Sequence, residues 1–136
     1  MLGVRQPEIY GYKSFESYLE ELKAHFANIE ITYQQTNHEG ELVTAVQQSQ
    51  AQGYAGLVIN AAAYTHTSIA LGDALAAVSI PKVEVHISNI FAREPFRHHS
   101  YLSAHCQAVV CGMGLLGYHF ALSFLEGNEK NKEILG

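Results

Sequence analysis

The spacing of hydrophobic residues along the chain predicts four helices. Ser14 is a residue type that caps helices, and apolar side chains follow it at helical spacing. These side chains are Phe15, Tyr18, Leu19, Leu22 and Phe26. A second helix is predicted over residues 41–50 and is closed by Gly53, and a third ends near Val78. The fourth is an apolar helix over residues 115–125.

The segments between these helices predict strands. The predicted strands are residues 29–33, 57–59, 83–87 and 108–111. The first alternates apolar and polar residues, as a half-exposed strand does, whereas 57–59 is a continuous apolar run of the kind buried on both faces of a parallel sheet. Since helices and strands alternate, the chain is predicted to be an α/β domain with a parallel sheet.

Polar segments follow three of the predicted strands. They are residues 60–66, residues 86–97 and the turn after Cys111, and the second is rich in arginine and histidine. In open parallel sheets, ligands bind beyond the carboxyl ends of the strands. The order of elements alone therefore places a candidate site at this edge.

Composition narrows the class of protein. With 136 residues, 48% hydrophobic and 15% charged, the chain suits one ordered domain, residues 1–136. The net charge of −5 and the lack of a Lys/Arg cluster argue against nucleic-acid binding. The apolar runs are far too short to span a membrane, and residues 1–7 lack a signal peptide's apolar core, so we expect a cytoplasmic protein.

A few residues suggest the kind of ligand. Arg93 and Arg97 lie four positions apart and Arg5 stands alone, which favours a small anion over a polymer as ligand. Cys106 and Cys111 lie in apolar surroundings typical of reduced, buried thiols.

Two motifs that suggest cofactors have simpler explanations. Residues 112–117 (GMGLLG) match the dinucleotide pattern G-x-G-x-x-G, but no further strand with an acidic residue follows about twenty positions on. A tight turn with close helix–sheet packing explains these glycines better. The eight histidines show no metal-binding spacing on a helix, and neither cysteine belongs to a C-x-x-C pair. His25, His105 and His119 are interpreted as ordinary helix or surface residues.

Glu84 and His86 lie two positions apart on a predicted strand, so their side chains share a face. A carboxylate there can accept a hydrogen bond from one imidazole nitrogen and leave the other to transfer a proton. A structural ion pair at a strand end is the alternative interpretation.

Several longer segments, in order, resemble the type II dehydroquinases (3-dehydroquinate dehydratases). They are residues 2–11 (LGVRQPEIYG), 37–41 (NHEGE), 59–68 (INAAAYTHTS), 83–89 (VEVHISN) and 92–97 (AREPFR). The resemblance runs from Leu2 to about Glu126. It implies a flavodoxin-like three-layer sandwich whose residues 1–13 form a lid segment and whose residues 127–136 form a flexible tail.

The chain departs from the family pattern at two places. The family opens with a central strand ending in Asn-Gly-Pro-Asn-Leu-Asn, which is not found before Met1. Either the start codon is misassigned, or the sheet lacks that strand and the site is compromised. Where the family commonly has Pro-Gly, this chain has Ala61-Ala62. A Cβ at a glycine position is expected to crowd the ligand or strain the loop.

The resemblance also implies the chemistry: conversion of 3-dehydroquinate to 3-dehydroshikimate through an enolate, without metal or organic cofactor. The catalytic residues it implies are Tyr10 as proton acceptor, Arg5 as transition-state stabiliser, His86 as proton donor, Glu84 as the residue orienting His86, and Arg93 lowering the pKa of Tyr10. The implied substrate-binding residues are Asn60, His66, Asp73, Ile87, Ser88 and Arg97. The implied assembly is a trimer and from it a dodecamer. The alternative function is an inactive flavodoxin-like module that binds a small anion.

Overall fold

The structure is a computed structural model that describes residues 14–135. The α-helices in this range are α1 (Phe15–His25), α2 (Glu39–Ala51), α3 (Ile69–Ala77) and α4 (Leu116–Leu135). The strands are β1 (Leu57–Ile59), β2 (Lys82–His86) and β3 (Ala108–Cys111). Short 3-10 helices lie at Ala62–His66, Ile90–Ala92, Pro95–His98 and Ser103–His105. No helix in the described range is both long and apolar enough to cross a membrane.

The three strands form one parallel sheet in the order β1-β2-β3. In its register Val58 lies beside Val83, and Val83 lies beside Ala108. All five residues of the middle strand β2 are buried, because it has a strand on each side and helices on both faces. The predicted α/β fold with a parallel sheet is confirmed.

Helices cover both faces of the sheet, which gives the predicted three layers. On one face α2 and α3 pack around Ile59, through Val46, Leu71 and Leu75. On the other face Ala121 of α4 packs against the β2 valines. Helix α1 lies on the α4 side, where its His25 ring centroid is 4.6 Å from that of His119. Two histidines interpreted as ordinary helix residues thus pack one helix on another.

The strand predicted over residues 29–33 is wrong. Residues 30–36 are irregular, and no strand in the described range precedes Leu57. A strand needs a neighbour to accept and donate its backbone hydrogen bonds, and the described residues offer none beyond the outer edge of β1. The alternation instead serves side-chain packing: the ring of Tyr33 lies 4.6 Å from that of Phe15.

Two of the predicted helix ends agree with the structure, and a third helix is longer than predicted. The Ser14 hydroxyl accepts a hydrogen bond from the Ser17 amide at 3.2 Å, as predicted for an N-cap. Gly53, with φ of +88°, follows the end of α2. Helix α4 continues past Leu125 to Leu135, since no proline interrupts it. The predicted flexibility of residues 127–136 stays a prediction.

The glycine-rich turn after β3 holds the end of β2. Gly112 and Gly114 have φ of +84° and +60°, and their amides donate to the carbonyls of His86 and Ile87. A Cβ on Gly117 would lie 3.2 Å from Val85 Cγ1, so this glycine lets α4 pack closely on the sheet. Turn geometry and helix–sheet packing account for the motif, as the sequence analysis predicted.

Candidate active site

The C-terminal end of β2 carries a buried acid–base pair. Glu84 is 0% exposed and His86 4% exposed, and His86 Nε2 donates a hydrogen bond to Glu84 Oε2. The other carboxylate oxygen, Oε1, accepts from the hydroxyls of Ser100 at 3.0 Å and Ser103 at 2.8 Å. The two-residue spacing that suggested this contact thus brings the side chains together, and two serines complete the group.

The surroundings of Glu84 keep it ionised. Burial alone would raise the pKa of Glu84, but hydrogen bonds from His86, Ser103 and Ser100 and the charge of His86 outweigh burial and leave the pKa below its usual 4.5. An ionised carboxylate only accepts hydrogen bonds, so Nε2 of His86 carries a proton. Its Nδ1 is then the nitrogen able to exchange a proton with a ligand.

The loop after β1 brings a second histidine beside the first. His66 Nδ1 donates to the carbonyl of His99 at 2.7 Å, and Nε2 has no hydrogen-bond partner among residues 14–135. The His66 and His86 rings are stacked, with centroids 6.1 Å apart and planes 19° apart. Two strand ends of the sheet therefore contribute to one site, as the general rule for parallel sheets predicts.

Asn60, the first residue after β1, is fixed by two hydrogen bonds. Its Oδ1 accepts from the Ala62 amide at 3.2 Å, and its Nδ2 donates to the Tyr118 hydroxyl at 2.8 Å. Burial raises the pKa of Tyr118 to about 12, so this residue stays a neutral hydroxyl. The second N–H of the Asn60 amide is available to a ligand.

The loop after β2 holds the predicted arginines. Arg93 Nη1 donates to Ser88 Oγ at 3.3 Å, and Arg97 Nε donates to Glu94 Oε2 at 2.7 Å. The Arg97 guanidinium also lies 4.8 Å from the centre of the Phe96 ring. Ser88 and the buried Ile87 follow His86 directly. The loop that follows the acid–base pair thus carries two guanidinium groups, and the exposed carboxylate of Glu94 lies 3.9 Å from Arg93 Nε and 2.7 Å from Arg97 Nε.

The comparisons with known proteins agree on one family. The family model described as "Dehydroquinase class II" matches residues 1–126. The chain is 50% identical over 126 residues to the 3-dehydroquinate dehydratase of Acinetobacter baylyi, covering 91% of this chain and 85% of that one. It is also 50% identical over 125 residues to the 3-dehydroquinate dehydratase of Vibrio cholerae, covering 90% and 83%.

Solved structures give the same result. The type II dehydroquinase from Butyrivibrio crossotus has a TM-score of 0.88 at 43% identity, with 92% of this chain and 88% of that chain covered. The enzyme of the same type from Propionibacterium acnes has a TM-score of 0.85 at 40% identity, with 91% and 86% covered. The chain belongs to the class II dehydroquinase family.

In this class II dehydroquinase, the backbone is unusual at Ala61-Ala62, where the family commonly has Pro-Gly. Ala62 has φ of +50°, a left-handed conformation that costs an L-residue free energy. Its amide donates to Asn60, so the strained residue also holds a candidate ligand-binding side chain. This backbone angle agrees with the strain expected at this position from the sequence.

Of the three remaining candidate residues of this dehydroquinase, the structure describes only Asp73. Asp73 is exposed on α3, and no side-chain hydrogen bond or ion pair joins its carboxylate to another described residue. Arg5 and Tyr10 lie outside the described residues. Sequence reasoning also missed three residues at the site, Ser100, Ser103 and Tyr118. Each is a polar residue far along the chain from its partner, and none belongs to a periodic pattern or a short motif.

Proposed function

We propose that this class II dehydroquinase eliminates water from 3-dehydroquinate to give 3-dehydroshikimate, with His86 as the proton donor. The observation that carries the proposal is the buried Glu84–His86 pair at the end of the middle strand, next to His66. Relatives about 50% identical over most of the chain are named 3-dehydroquinate dehydratase. The alternative of an inactive anion-binding module is not supported.

The reaction needs a base, an enolate stabiliser and an acid. We propose Tyr10 as the base that takes the proton next to the ketone, with the electron pair moving into an enolate that Arg5 stabilises. A free tyrosine has a pKa of about 10, so a nearby guanidinium, for which we propose Arg93, must lower the pKa of Tyr10 to make it effective. The enolate re-forms the ketone and expels the neighbouring hydroxyl. His86 Nδ1 gives that hydroxyl its proton, so water leaves.

Substrate binding is proposed for the residues around this pair. The Asn60 amide and His66 Nε2 would contact substrate hydroxyl groups. Arg97 would release the exposed carboxylate of Glu94 and bind the substrate carboxylate instead. The backbone amides of Ile87 and Ser88 would donate hydrogen bonds to the same substrate carboxylate. Asp73 stays a proposed substrate contact without support from its position. Proton transfers and a leaving hydroxyl require no metal or organic cofactor, and we propose none.

We propose that the protein works in the cytoplasm as a trimer that assembles further to a dodecamer. Both cysteines of the chain are free thiols, which suits a reducing compartment. Exposed apolar side chains on α4 at i, i+4 and i+8 support self-association. They are Leu116, Phe120 and Phe124. Light scattering at micromolar concentration should give a multiple of three subunits, and a stable monomer would contradict the assembly.

One assay tests the proposed activity. The product is a conjugated enone that absorbs in the ultraviolet, so purified protein mixed with 3-dehydroquinate should give a rise in absorbance. EDTA should leave the rate unchanged. His86→Ala protein, purified the same way, is the control for a contaminating enzyme. Absence of any absorbance rise with folded wild-type protein would reject the proposal, and loss of activity in EDTA that zinc restores would reject the metal-free mechanism.

A further inference from the structure

We propose that Ser100 and Ser103 are positioning residues that keep Glu84 ionised and hold it against His86. The proposal builds on the function proposed above. Their hydroxyls lie 3.0 and 2.8 Å from Glu84 Oε1, the oxygen that His86 does not use. The two serines and His86 thus occupy both oxygens of a carboxylate that is 0% exposed.

A buried carboxylate needs these donors. An ionised carboxylate without hydrogen bonds in a protein interior costs so much free energy that it takes up a proton instead. In this pair the nearest proton is on His86 Nε2. Transfer of that proton to Glu84 would remove the carboxylate charge that faces His86, the proposed proton donor. Two hydroxyl donors on Oε1 oppose the transfer because they stabilise the ionised form of Glu84.

The local backbone directs the Ser100 hydroxyl towards Glu84. Ser100 Oγ accepts from the amides of Leu102 at 3.0 Å and Ser103 at 3.1 Å. With both lone pairs engaged, its proton is left to donate to the carboxylate. Leu102 is 0% exposed and fixes this turn in the core. Ser103 Oγ makes only the bond to Glu84 within residues 14–135, so it is the cleaner position to change.

The other titratable groups facing this carboxylate do not replace the serines. Lys82, on the same strand, donates its ammonium to the carbonyls of Val78 and Ile80. Burial, followed by the charge of Glu84, raises the pKa of the Cys106 thiol to about 11, so this thiol stays neutral. His66, stacked on His86, donates to a carbonyl. Removing a serine should therefore act on the Glu84–His86 pair.

The kinetic test compares Ser103→Ala with Ser103→Thr, which keeps the hydroxyl. Ser103→Ala should lower kcat about tenfold with KM unchanged, the size expected for one hydrogen bond to a charged group. The lost bond had lowered the pKa of Glu84, and activity requires ionised Glu84. The acid limb of the kcat profile should therefore move to higher pH, by about one unit. Ser103→Thr should restore kcat and the acid limb.

Two further proteins complete the comparison. Ser79→Ala removes an exposed hydroxyl away from the site and should match wild type in both respects. Ser103→Cys keeps nearly the same volume with a weaker donor. It should shift the acid limb in the same direction and serves as the test if Ser103→Ala is not folded.

A measurement that does not need turnover separates this proposal from the proposed function. Nuclear magnetic resonance titration of labelled protein should show Glu84 taking up its proton at higher pH in Ser103→Ala than in wild type. That result would support the positioning role even if 3-dehydroquinate were not turned over. A variant with wild-type kcat and acid limb would overturn the proposal. So would one that loses kcat or thermal stability while the Glu84 titration and the acid limb stay in place.

Discussion

Replacement of Ala62 by glycine should stabilise the protein. Ala62 has φ of +50° and an exposed side chain, so its Cβ contributes strain and almost no packing. A left-handed conformation costs an L-residue about 1–2 kcal/mol. Glycine removes that cost but gives the unfolded chain more freedom, which offsets about 0.4–1 kcal/mol. The expected net gain in unfolding free energy is about 0.5–1 kcal/mol, or roughly 2–4 °C in Tm for a domain of this size.

Thermal and urea unfolding followed by circular dichroism measure this gain. Ala63→Gly is the matched control, since Ala63 is the next residue of the same 3-10 helix, is also exposed and does not have positive φ. That change relieves no strain and should cost about 0.5–1 kcal/mol. The hydrogen bond from the residue 62 amide to Asn60 persists in Ala62→Gly, so KM should change less than twofold. If both glycine variants lowered Tm equally, the left-handed strain at Ala62 would be refuted.

The remaining predictions concern the acid–base pair and the anion contact. His86→Ala should lower kcat about 10²–10⁴-fold with little change in KM, because it removes the proposed general acid. Arg97→Ala should instead raise KM, because it removes the proposed contact to the substrate anion. The opposite pattern in the enone assay would exchange the two assignments. Because the folded-state pKa of Glu84 lies below 4.5, its ionised form adds stability above that pH, and this stability is lost as pH falls through the folded value. The free energy of unfolding, measured with urea between pH 7 and pH 3, should therefore fall more steeply for wild type than for Glu84→Gln. Identical pH dependences in the two proteins would contradict this link between ionisation and stability.

The sequence predicted the elements whose hydrophobic pattern reports burial. Strands β1, β2 and β3 and the helices between them were located because each has an apolar face in the core. The strand predicted over residues 29–33 failed because pairing depends on a neighbour that alternation cannot reveal. The end of α4 was placed too early, at Leu125, since the loss of an apolar face does not by itself end a helix.

The candidate site was predictable where contacts are local. Glu84 and His86 are two residues apart, so strand geometry alone put them on one face. The site residues that were missed have partners far along the chain: Ser100 and Ser103 lie 16 and 19 residues from Glu84, and Tyr118 lies 58 residues from Asn60. Such contacts depend on how loops return to the sheet, for which a serine or tyrosine in a loop gives no signal.

The central place of β2 in the sheet has a consequence for the timescales of motion at the site. Amides of a strand held on both sides exchange with solvent only when much of the domain opens, whereas short 3-10 helices open locally at far lower free energy. His86 is the last residue of β2, the strand paired on both sides. Arg93 and Arg97 belong to the loop that contains the short 3-10 helices. Hydrogen exchange should therefore be slow at the amides of β2 and fast at the amides of the 3-10 helices that carry the arginines. The arginines proposed to bind the substrate anion can then rearrange around an arriving ligand, while His86, the proposed proton donor, stays fixed at the end of the sheet's middle strand.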